Sequence, residues 1–129
     1  MLKHEIWLNI AEEDINAAEW SFKGDQFLWA VFMCQQCLEK AIKAIYIYER
    51  KEEAPKKHDL IYLSQISGLF DELSYETKNL FRYLNVYYIE TRYAEKRNEL
   101  KAKCSKENTL KIINQTKEVF ECLKNMLKK

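Results

Sequence analysis

Very little in this chain bends the backbone, and no excess of charge draws it toward a partner. Two glycines (Gly24, Gly68) and one proline (Pro55) punctuate 129 residues. A β-rich fold of this length needs several tight turns, so the shortage argues against one. Helix formers dominate what remains, and the composition predicts an all-α fold. No apolar run approaches the ~20 residues that cross a bilayer. The longest uncharged one is the eight residues from Phe27 to Cys34, so no membrane association is expected. The 21 basic and 20 acidic residues leave a formal charge of +1, and no global attraction to nucleic acid follows. Local patches stay open. The opening MLKHEIWLNIAEED mixes charged with apolar residues, unlike a secretory leader. A cytoplasmic protein is therefore expected, with Cys34, Cys37, Cys104 and Cys122 as free thiols.

Apolar spacing divides the chain into helices. The first is predicted from Lys3 to Phe22, with Ile6, Ile10, Ala17 and Ala18 on one stripe and Glu12, Glu13, Asn16 and Glu19 facing away. Lys23 to Asp25 is the turn, Gly24 suiting the left-handed residue after a helix and Asp25 an N-cap. The second helix, Gln26 to Arg50, is apolar over a face wide enough for two neighbours and must be central. Its Glu39 and Lys43 are spaced for a surface ion pair, worth about 0.3–0.5 kcal/mol. Lys51 to Lys57, closed by Pro55, reads as a surface loop. A short helix from Asp59 to Ser67 follows, then a longer one from Ser74, an N-cap, to Tyr93. Ala94 to Lys106 is charged and weakly patterned and reads as a mobile loop. The last helix runs from Lys106 to Leu127, with Leu110, Ile113, Val119 or Phe120, and Leu123 inward. The expectation is one domain over residues 1–129, an up-and-down bundle of four long helices and one short one.

Few constellations carry chemistry. Cys34 and Cys37 form a C-x-x-C, but inside a helix and without a second close pair, so buried structural thiols are expected and no metal site. His4 lies near the terminus. His58 precedes the short helix, where capping or packing is its expected role. No glycine-rich phosphate loop exists. The remaining candidate is the end of the fourth helix, Tyr87, Tyr88, Glu90, Arg92 and Tyr93, with Glu95, Lys96 and Arg97 beyond. Tyrosines beside arginines can stack on bases while a guanidinium holds phosphate. The plainer account packs Tyr87 and Tyr88 in the core or an interface and pairs Arg92 with an acidic side chain of another helix.

Taken in order, the residues resemble a known family. Trp7-x-x-x-Ala11-x-x-Asp14-x-x-x-Ala18 precedes Gly24-Asp25-x-x-x-Trp29-Ala30. Gln35-Gln36-x-x-Glu39-Lys40-Ala41-x-Lys43-Ala44 follows, then His58-x-Leu60-x-x-Leu63 and Thr91-Arg92-Tyr93. This pattern resembles the HEPN family of small helical domains. The resemblance implies a bundle that pairs into a homodimer, binds a nucleotide or RNA, and acts with a minimal nucleotidyltransferase as a toxin–antitoxin pair. Many such proteins are metal-independent ribonucleases using an Arg, four to six intervening residues and a His.

Arg92 sits where that arginine is expected, but no histidine occurs from Ala94 to Lys129. His58 lies upstream on another element and does not match the motif. The resemblance therefore implies binding at Arg92 and Tyr93, with Lys43 and Asp14 as further binding candidates. No catalytic residue and no cofactor are assigned. Two alternatives remain: a ribonuclease with a degenerate motif, pairing Arg92 with Arg97 or Asn98, and a purely structural dimerisation or adaptor domain.

Overall fold

Three of the helices begin where a short polar side chain caps them, and the chain turns where apolar spacing fails. The computed structural model describes residues 1–127. Within them lie α1 (Lys3–Lys23), α2 (Phe27–Arg50), α3 (Leu60–Ile66), α4 (Tyr75–Glu90), α5 (Ala94–Lys103) and α6 (Lys106–Met126), with a 3₁₀ turn at Phe70–Glu72 before α4. No strand occurs among the described residues. The all-α expectation holds, with six helices rather than five. Asp59, Ser74 and Ser105 cap α3, α4 and α6, each accepting from backbone N–H groups of the first turn.

The added helix is α5, in the segment whose weak pattern reads as a mobile loop. It carries one buried residue, Leu100, which explains why no periodicity marked it. Its Ala, Glu, Lys, Arg and Leu content favours helix, and Leu100 anchors it to the core. The α1–α2 turn also differs from expectation. Gly24 has φ −90°, and Asp25 takes the left-handed conformation at φ 58°. Gln26 becomes the N-cap of α2, and no side chain caps that helix.

Helix α2 packs against all five others. Its Leu38, Ala41 and Ile42 are fully buried among Leu60 and Leu63 of α3, Phe81 and Leu84 of α4, and Phe120 of α6. Truncating a phenylalanine such as Phe81 in so closed a core costs about 3–5 kcal/mol. In α1 the inward stripe is Ala11, Ile15 and Ala18, not one led by Ile6, which is exposed. In α6 Leu110 is exposed, while Thr109 and Thr116 are buried with Ile112 and Ile113. Cys34 and Cys37 are wholly buried, and burial pushes both thiols up, that of Cys34 to about 12. They are inert packing groups. Among the described residues no cluster of side chains could hold a metal ion, and no helix is long and apolar enough to cross a membrane.

Candidate functional site

Because neighbours surround α2, even its polar face is covered. Gln35, Glu39 and Lys43 are buried along it. The Glu39–Lys43 pair, expected on the surface, is instead enclosed, with the Lys43 ammonium 3.0 Å from a Glu39 oxygen and 5.6 Å from the Trp7 ring centre. Gln35 donates to Glu39 at 3.1 Å and to the carbonyl of His58 at 3.0 Å. Gln36 donates to Gln35 at 2.6 Å, and Lys40 joins Gln36 (3.0 Å) to Asp14 of α1 (3.4 Å). One hydrogen-bonded strip therefore runs from Asp14 to His58.

The strip's two carboxylates are driven in opposite directions. Burial raises Asp14 above the ordinary aspartate value, with Lys40 only partly offsetting it. Burial also opposes ionisation of Glu39. The hydrogen bond from Gln35, the charge and hydrogen bond of Lys43, and the contact with His58 together outweigh it, and Glu39 is held below the usual glutamate range. Glu39 is thus an anion kept inside the bundle by its partners.

Where the strip meets the surface it fixes a histidine. His58 Nδ1 lies 3.1 Å from both Glu39 oxygens. A carboxylate there favours a proton on Nδ1, so that in the neutral ring Nε2 carries the lone pair. The His58 ring stacks on Tyr88 of α4, with centroids 4.7 Å apart. Arg92, exposed just past the end of α4, lays its guanidinium 4.5 Å from the same Tyr88 centroid and donates to the Tyr88 hydroxyl. No carboxylate pairs with Arg92 among the described residues, so the ion pair of the plainer account is not formed. Tyr88 is half-buried, whereas Tyr87 enters the core and its hydroxyl meets Cys104 and Tyr83.

The four residues singled out in the sequence are therefore not one cluster. Arg92 and Tyr93 line a shallow depression with Ala94, Glu95 and Lys96, and Tyr93 is 61% exposed. Lys43 is buried beneath Trp7, and Asp14 is half-buried at the far end of the strip. Arg97 and Asn98 lie on α5, with Arg97 over Trp29 rather than beside Arg92. The group missed from sequence is His58. Its His-Asp-Leu setting marked a helix start, but its contact with Tyr88 spans 30 positions and has no local signal.

An all-α bundle, with a polar strip through its central helix opening at an aromatic and basic edge, is the class of protein these features define. The chain belongs to the HEPN family: the family model, described as HEPN domain, matches residues 4–126. No curated protein and no solved structure matches it significantly.

Proposed function

We propose that this protein is a HEPN module that binds a nucleotide or RNA phosphate at the edge formed by Arg92, Tyr88 and Tyr93. It works as a homodimer, with a minimal nucleotidyltransferase as partner in a toxin–antitoxin-type system. The observation that carries the binding reading is Arg92: an exposed guanidinium without a carboxylate, pre-set against a tyrosine ring. A guanidinium in that state binds phosphate by charge-assisted, bidentate hydrogen bonds, and the exposed Tyr93 ring beside it can accept a base. Arg92→Ala removes an exposed group and leaves the bundle intact. In titrations with a nucleotide and with a short RNA it should weaken binding about ten- to a hundred-fold. Unchanged affinity defeats the assignment.

One observation favours ribonuclease activity as a second reading. His58 packs on the same tyrosine as Arg92, which supports a role for it as the base that the chain after Arg92 lacks. In this reading the RNA 2′-oxygen attacks phosphorus while His58 Nε2 takes its proton. The bond from phosphorus to the 5′-oxygen breaks, water protonates that oxygen, and Arg92 holds the phosphoryl charge. Incubation of the pure protein with RNA should then give cleavage that His58→Ala reduces by about a hundred-fold or more. RNA left intact by the unmodified protein removes this reading and leaves the binding one standing.

A further inference from the structure

A second basic and aromatic feature lies away from Arg92, where the first turn of α2 faces α5. A cavity of about 210 Å³ opens there, lined by Asp25, Gln26, Trp29, Arg97 and Lys101 among others. Arg97 and Lys101 are one helical turn apart on α5, and both contribute to this cavity. Neither has a carboxylate partner among the described residues, although Asp25 shares the wall. Trp29 is 42% exposed, with the Arg97 guanidinium 5.1 Å from its ring centre. The adjoining turn of α2 has no acidic residue and no side-chain cap, which adds to the positive potential without defining the site.

The two features are joined. Trp29 meets Phe32 edge-on at 5.5 Å, Phe32 stacks on Tyr88 at 5.8 Å with planes 10° apart, and Tyr88 stacks on His58 at 4.7 Å. A rail of four rings thus carries one cation–ring pair at Trp29 and another at Tyr88. A packed core explains Phe32, which is half-buried, but not an exposed tryptophan beside two cations that no carboxylate neutralises. The exposed Trp29 and Tyr93 rings at the two ends, with cations beside them that form no ion pair among the described residues, suit a strand of bases joined by phosphates. We propose that the Trp29, Arg97 and Lys101 cavity is a second subsite, taking a base on Trp29 and a phosphate between the two cations. The ligand is then a single-stranded oligonucleotide longer than one nucleotide, running along the rail to Arg92.

This rests on the Arg92 binding reading, and the test separates the two. A mononucleotide (UMP) and labelled ten-residue oligouridylate are titrated against the full chain, with the matching deoxy-oligomer distinguishing RNA from DNA. The decamer should bind at least ten-fold more tightly than UMP. Trp29→Ala should remove about ten-fold of the decamer's affinity and leave UMP binding unchanged. Arg97→Gln with Lys101→Gln should also lower the slope of log affinity against log salt by between one and two. Lys101→Gln alone changes one exposed side chain and guards against a folding defect, with circular dichroism as the control. Equal affinity for UMP and decamer, or decamer binding indifferent to these variants, overturns the second subsite and spares the Arg92 reading. Binding of neither ligand overturns both. Capture of an acidic peptide in place of the decamer also overturns it, since the cations would then recognise carboxylates.

Discussion

Glu39 is the residue whose loss disturbs the strip most. It is buried, accepts from Gln35, neutralises Lys43 and holds His58 by Nδ1. Glu39→Gln keeps the shape but leaves the Lys43 ammonium buried without its counter-charge, and a buried pair broken on one side costs about 3–5 kcal/mol. The substitution should destabilise the protein by roughly that amount in urea at neutral pH. A change under about 1 kcal/mol would mean that Lys43 reaches solvent. The pH profile has a definite sign. Glu39 is held below its unfolded value, so its contribution is complete above that value and fades as pH falls through the lower, folded one. Asp14 is raised, so its contribution is present below its unfolded value and fades as pH rises through the folded one. Acid loss of stability should therefore be shallower in Glu39→Gln than in the parent, and denaturant midpoints between neutral pH and about pH 3 measure it.

At the scale of elements, much was legible and the exceptions have physical causes. The caps at Ser74 and the breaks at Lys51 to Lys57 and Gly68 could be read because each acts through the residues beside it. Helix α2 was readable as central from its apolar width alone. Helix α5 was not, because periodicity reports burial and α5 buries only Leu100, while its helix propensity leaves no stripe. The site divides the same way. Tyrosines beside an arginine marked the end of α4 as a candidate, but residue types alone favoured core packing and an ion pair there, and it was the resemblance to the HEPN pattern that singled out Arg92 and Tyr93. The burial of Lys43 was hidden, because an i,i+4 pair looks identical whether solvent or Trp7 covers it. His58 was hidden as a partner of Tyr88 because α2 supplies Glu39 to hold it and α4 supplies the ring, and no spacing within one segment encodes that meeting.

For the whole molecule the proposed homodimer has a candidate face on α4. Val86 and Ile89 lie three apart on α4 and are 45% and 56% exposed, and Tyr93, 61% exposed, follows in the turn beyond its end. Val86 and Ile89 form an apolar patch that nothing in the chain covers among the described residues, and Arg92 stands just past the end of the helix. Pairing two chains across this patch would bury it and bring two Arg92 edges toward each other, which suits a ligand longer than one nucleotide. Ile89→Asp puts an unpaired charge at the middle of such an interface, where a central contact is worth about 2 kcal/mol or more. The parent should run as a dimer in light scattering, and the variant should dissociate at concentrations at least about thirty-fold higher. The variant should keep its helical circular dichroism, because Ile89 lies outside the core. A monomeric parent, or a dimer untouched by the charge, places any pairing elsewhere. If the dimer is needed for binding, Ile89→Asp should also weaken the decamer more than UMP, because a mononucleotide contacts one edge and a longer strand benefits from two.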